Sequence, residues 1–147
     1  MRLTEFLKQD KDLNNFIQKT KQVKNSLITG ANAGAFSLLL KQIVTELDEP
    51  LILVEENENK AQNLYGELSS ILDSDMVQFF SLDATIATQT AVSSPDELSN
   101  RIQALSFLLS KKAGIVVTTP QGLQYKLSNP DDFAKARRLF TPEKEYE

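Results

Sequence analysis

At Leu51–Val54 the chain reads Leu-Ile-Leu-Val, an apolar run with no alternation. A strand of that kind is buried on both faces, which points to a parallel sheet between layers of helices. The neighbouring pattern agrees. Ser26–Thr29, Val77–Leu82 and Ile115–Thr118 are further short strand candidates. Between them, apolar residues recur at helical spacing. Phe36, Leu40, Ile43, Val44 and Leu47 form one stripe, and Ala61, Leu64, Tyr65, Leu68, Ile71 and Leu72 form a second. Leu98, Ile102, Leu105, Leu108 and Leu109 form a third, expected to be buried. Strands alternating with helices predict a four-stranded α/β domain with right-handed crossovers and helices on both faces.

The ends of these elements are also marked. Leu3, Phe6 and Leu7, then Leu13, Phe16 and Ile17, predict one bent helix or two short ones over about residues 2–20. Ser94-Pro95-Asp96-Glu97 has the form of a helix start, with a capping hydroxyl, a first-turn proline and a carboxylate for a capping box. Lys111 and Lys112 stand where the helix dipole favours cations, and Gly114 is the expected stop. Thr119-Pro120 ends the last strand, and a short helix carrying Leu123, Tyr125 and Leu127 should follow. Asn129-Pro130 opens a final short helix.

Composition narrows the chemistry. The 147 residues contain no cysteine and no histidine. Thiol catalysis and disulfides are excluded, and so are the commonest general base and transition-metal ligand. The net charge of −4 gives no global basic field for nucleic acid. Candidate local contacts are Lys19, Lys21, Lys24, Lys111, Lys112, Arg137 and Arg138. No apolar run is long enough to span a bilayer, no secretory signal is seen, and a cytoplasmic location is expected.

Leu27–Leu40, LITGANAGAFSLLL, has the layout of a phosphate loop: apolar run, small-residue turn, helix. A working loop reads G-x-x-x-x-G-K-[ST]. With Gly30 as its first glycine, the second falls on Ala35, the lysine on Phe36 and the Ser/Thr on Ser37, with Gly34 inside the loop. The ammonium that steadies the β- and γ-phosphates is therefore missing. An acidic residue beyond another strand is also needed for Mg²⁺. Glu55 and Asp83 are candidates, although loop carboxylates of this kind are common. A degenerate loop with Phe36 packed on the sheet or the N-terminal helix is expected.

Several blocks together resemble one family. NSLITGANAGAFSLLL, LILVEENENKAQNLYGEL, and AVSSPDELSNRIQALSFLL followed by KKAGIVVTTPQGL are similar, in that order, to the N-terminal region of transcription-repair coupling factors. The similarity covers roughly residues 26–140, and Ser93-Ser94-Pro95 before a helix with Arg101 is its most specific part. That region is itself related to UvrB, the damage-verifying, helicase-like excinuclease subunit. The tyrosine-rich hairpin of UvrB has no counterpart, since DATIATQTAV, at the expected place, lacks aromatic residues. Tyr65, Tyr125 and Tyr146 lie elsewhere.

The resemblance implies a helicase-like α/β domain with a degenerate phosphate loop over residues 26–138. A helical segment over 1–25 precedes it, and 139–147 begin the next domain. It implies a catalytically inert adaptor with no metal or cofactor of its own. ATP and Mg would be used only at motor domains elsewhere in a parent DNA translocase. That parent displaces stalled RNA polymerase and recruits UvrA, with both contacts mostly outside these residues. Two alternatives from other classes are a nucleotide-binding enzyme domain with an unusual phosphate loop and a weak DNA-binding module.

Overall fold

The computed structural model describes residues 11–23, 25–30, 32–80, 95–124 and 126–136. The first helix, α1, spans Lys11–Thr20 and buries Ile17. Helix α2, Ala33–Leu47, starts at Asn32, whose side-chain Oδ1 accepts a hydrogen bond from the Ala35 amide at 2.9 Å. Such a cap satisfies one of the amides that a helix start leaves without a partner. The helix ends where Asp48 turns left-handed at φ 54°, with its amide donating to the Val44 carbonyl. Strand β1 then runs Pro50–Val54.

Helix α3, Glu58–Ile71, is built in the same way. Asn57 caps its start through the Lys60 amide, and the Lys41 ammonium donates to the Ile71 carbonyl at its far end. Strand β2 is Val77–Phe80, helix α4 is Pro95–Ser110 and strand β3 is Gly114–Thr118. Thr119 caps the short helix α5, Pro120–Leu123, and α6 follows at Pro130–Ala136.

The three strands form one parallel sheet in the order β1-β3-β2. The central strand, β3, is buried at every position, as an all-apolar strand should be. Ile115 and Val117 face α2 and α3 in a core with Leu40, Val44, Leu64 and Leu68. Val116 faces the other way, with Phe80, Ala104 and Phe107. Helices therefore cover both faces, and the predicted α/β class is observed. The second face is covered unevenly. By register Ile52 shares the side of Val116, yet Ile52 and Val54 are about half exposed because α4 packs over β2.

Two glycines are required by close approach. A Cβ on Gly114 would lie 2.5 Å from the Met76 carbonyl oxygen and against the Phe107 ring. That carbonyl accepts the Ile115 amide at 2.7 Å, which fixes the entry of β3. A Cβ on Gly122 would collide with the Thr118 hydroxyl, which donates to the Phe80 carbonyl at 2.7 Å.

Five expectations are corrected. Leu51–Val54 is not buried on both faces: Leu51 and Leu53 are partly buried against α2 and α3, while Ile52 and Val54 are exposed on the side where α4 packs over β2. Ser26–Thr29 is not a strand: it is exposed throughout, with Leu27 at 87%. A strand exists only through a ladder with a neighbour, and among the described residues none pairs with this segment. In α4 the buried positions include Arg101, Ala104 and Phe107, while Leu98, Ile102 and Leu109 are exposed. The helix is apolar over more than one arc, and the small Ala104 and the ring of Phe107 fit the sheet. That helix ends before Lys111, which takes the left-handed conformation at φ 53°, and Gly114 opens β3 instead of closing the helix. Leu123 ends its helix, and both it and Leu127, which lies beyond the helix, are exposed. The expected cap at Ser94, the DATIATQTAV segment with Asp83, Tyr125, Tyr146 and residues 139–147 lie outside the described residues.

Candidate functional site

The phosphate-loop segment leads to an open cleft of about 290 Å³. It is lined by Asn32 and Phe36 of the α2 start, Glu55 beyond β1, and Lys60, Asn63, Leu64 and Glu67 of α3. It lies where the strands end and two helices begin, the usual place for a ligand on a parallel sheet. Its volume is at the bottom of the range of small-molecule pockets, roughly 300–1,000 Å³.

The residues of the loop motif are arranged differently from a phosphate cradle. Gly30 takes a left-handed φ of 84° and makes the turn. Helix α2 begins at Ala33, so Gly34, Ala35, Phe36 and Ser37 occupy its first turns. In a working loop these positions wrap around phosphate and present their amides to it. Here the Ala35 amide donates to the Asn32 side chain and the Phe36 amide to the Asn32 carbonyl. Phe36 is half-buried and packs against the core shared by α2, α3 and the sheet. The residue in the lysine position is thus packed against this core.

Ser37 is buried, and its Oγ donates to Glu67 Oε2 at 2.9 Å. The hydroxyl that would hold Mg²⁺ in an active loop is committed to a carboxylate on the next helix. The charges around the cleft also oppose phosphate. Glu55 and Glu67 line it as carboxylates, against the single ammonium of Lys60. Lys60 Nζ is bound by Glu56 Oε1 at 2.8 Å. The Glu56 hydrogen bond, then the charge of Glu56, hold the Lys60 pKa above its ordinary value against an opposing effect of desolvation, with a lesser contribution from the charge of Glu55. Among the described residues no cluster of acidic side chains has the form of a metal site.

The basic candidates do not converge on this cleft. Lys21 Nζ donates to the Glu46 carbonyl at the C-terminal end of α2, just before β1 begins. Lys111 and Lys112 are exposed just before β3 begins. All three sit at the end of the sheet where strands start, opposite the cleft. Lys19 is exposed in the last turn of α1. Lys24, Arg137 and Arg138 lie outside the described residues. Among the described residues no helix is long and apolar enough to cross a membrane.

Asn32, Lys60, Asn63 and Glu67 were not singled out from the sequence. The two asparagine caps carry a readable signal, a polar residue just before a helical stripe. The pairing of Ser37 with Glu67 carries none, because it joins residues 30 apart on different helices.

No family model matches this chain. It is 26% identical over 113 residues to the transcription-repair-coupling factor of Bacillus subtilis (strain 168), covering 76% of this chain and 10% of that protein. It is 24% identical over 124 residues to the UvrABC system protein B of Chlorobium phaeobacteroides (strain BS1), covering 74% of this chain and 18% of that protein. It is also 24% identical over 127 residues to the transcription-repair-coupling factor of Staphylococcus aureus (strain bovine RF122 / ET3-1), at 86% and 11% coverage. The resemblance to a UvrB-like N-terminal region of a coupling factor therefore holds over most of the chain. The chain spans only about a tenth to a fifth of the length of these relatives.

Proposed function

We propose that this chain is a UvrB-like adaptor domain of a transcription-repair coupling factor, acting in nucleotide excision repair through contacts and not through catalysis. The observation that carries this reading is the Ser37–Glu67 hydrogen bond beside Phe36. Ser37 and Phe36 hold the positions of the Mg²⁺ ligand and the phosphate-binding lysine, and both are committed to the fold. The carboxylates of Glu55 and Glu67 add a field that repels a nucleotide triphosphate.

In such a parent, ATP and Mg²⁺ act at motor domains elsewhere, and the whole protein is a cytoplasmic DNA translocase that displaces stalled RNA polymerase. Its main contact with UvrA lies in the domain following this one. The domain described here supplies a rigid α/β platform.

The test is calorimetry with Mg·ATP together with a steady-state phosphate-release assay on the chain. No binding tighter than about 1 mM, where only ~4 kcal/mol is gained, and no turnover above a no-enzyme control are expected. A micromolar dissociation constant for ATP would make this a nucleotide-binding domain instead. Calorimetry with UvrA should give no micromolar affinity for these residues. If it does, the recruiting surface belongs to this domain.

A further inference from the structure

The cleft beside Phe36 is poorly matched to phosphate, but its lining suits a group of the opposite charge. Its inner part is apolar, with Leu64 buried and the Phe36 ring half-buried. Its outer part is polar, with Asn63 and Glu67 exposed and Glu55 partly buried. Glu67 gives Oε2 to the Ser37 hydroxyl, and among the described residues nothing donates to its Oε1. The Glu55 carboxylate and the Asn63 amide likewise carry no hydrogen bond to the described residues.

Magnitudes decide the sign of the site. Lys60 is paired with Glu56, so its charge is already matched. Glu55 and Glu67 then leave two carboxylate charges in the lining. The starts of α2 and α3 oppose them with roughly half a positive charge each. The balance is about one negative charge beside an aromatic wall.

The group that fits such a lining is a cation with apolar faces and several donors. The arginine guanidinium is planar, weakly hydrated and rich in N–H donors, and it stacks on aromatic rings. Carboxylates accept from its edge with charge-assisted hydrogen bonds. The lysine ammonium is a compact, strongly hydrated charge and gives up its water less readily. At about 290 Å³ the cleft is small and open, which suits one side chain presented by a folded surface better than a free nucleotide.

We propose that this cleft receives an arginine side chain of a protein partner, the guanidinium lying against Phe36 and donating to the carboxylates of the lining. This rests on the adaptor reading and gives the contacts of that reading a place.

An amide NMR titration of the labelled 147-residue chain at low salt tests it, with the capped tripeptide acetyl-Gly-Arg-Gly-amide as probe. Shifts should centre on Phe36, Glu55, Asn63 and Glu67, with a dissociation constant on the order of 1–10 mM for this single side chain. The lysine tripeptide should bind roughly 3-fold more weakly, and the citrulline tripeptide, planar but uncharged, should give no shifts there. Glu55→Gln and Glu67→Gln should each weaken the arginine peptide about 2- to 5-fold. Both should leave the circular dichroism unchanged, because glutamine keeps the size of the side chain and an oxygen acceptor. No shifts in the cleft, equal binding of the lysine or citrulline peptide, or indifference to both glutamines overturns the proposal and leaves the adaptor reading standing. Micromolar binding of Mg·ATP at the same amides overturns both.

Discussion

Ser37 Oγ and Glu67 Oε2 stand 2.9 Å apart across the α2–α3 contact, joining two helices at the mouth of the cleft. Ser37 is only 4% exposed, so its hydroxyl sits in a partly dry setting where a hydrogen bond to a carboxylate contributes to stability. Ser37→Ala and Glu67→Ala should each cost about 1 kcal/mol, or roughly 3 °C in Tm for a chain of this size. The double mutant should cost less than the two singles together, giving a coupling of about 0.5–1.5 kcal/mol in chemical denaturation. Strict additivity would mean that the two groups do not interact in solution.

Gly114 has no room for a side chain, since a Cβ would meet both the Met76 carbonyl oxygen and the Phe107 ring. The backbone side of this clash cannot relax without pulling the start of β3 away from the Met76 hydrogen bond. Gly114→Ala should therefore destabilise the fold by about 3 kcal/mol or more. Gly66, where a Cβ meets nothing within 4 Å, is the control, and Gly66→Ala in the middle of α3 should be neutral to stabilising by up to ~1 kcal/mol. Comparable melting temperatures for the two variants would contradict the packing described at Gly114.

The parts of the fold legible in the sequence are those set by local periodicity. The α3 stripe named from spacing holds, with Ala61, Leu64, Leu68 and Leu72 buried and Tyr65 and Ile71 partly so. The buried run of β3 is legible for the same reason, whereas the start of α2 at Ala33 falls inside the segment the motif marks as loop. Ser26–Thr29 is not legible in this way, because β propensity says nothing about whether a neighbouring strand is present. The orientation of α4 is not legible either, because spacing finds an apolar stripe without saying which arc meets the sheet. In the candidate site, Phe36 in the lysine position was plain from the motif, but Glu67 and the carboxylate lining depend on how α2 and α3 pack.

Duplex DNA should bind this chain weakly and without preference for damage. The net charge is −4, and the described lysines at the strand-start end do not share a face with the cleft. Lys21 is already engaged by the Glu46 carbonyl. Few phosphates would be neutralised, so affinity should be weaker than about 100 μM at physiological salt. Fluorescence anisotropy with intact and lesion-bearing duplexes reads this directly. A several-fold preference for the lesion would instead indicate damage gripping of the UvrB type.

Restoring the phosphate-loop sequence should not restore its chemistry. Ala35 and Phe36 lie in the first turns of α2, where the amides are already turned along the helix and toward Asn32. Ala35→Gly adds backbone freedom that costs about 0.5–1 kcal/mol in a helix. Phe36→Lys gives up a half-buried ring packed on the core, worth about 2 kcal/mol. The new ammonium would meet the carboxylates of Glu55 and Glu67 in the cleft before it met phosphate. The double variant should therefore melt roughly 8–10 °C below the parent. It should also remain inactive in a phosphate-release assay, because the glycine and lysine alone leave the helix start and the acidic lining in place. Turnover above the no-enzyme control, abolished by a further Ser37→Ala change, would show that the segment can still unwind into a phosphate cradle.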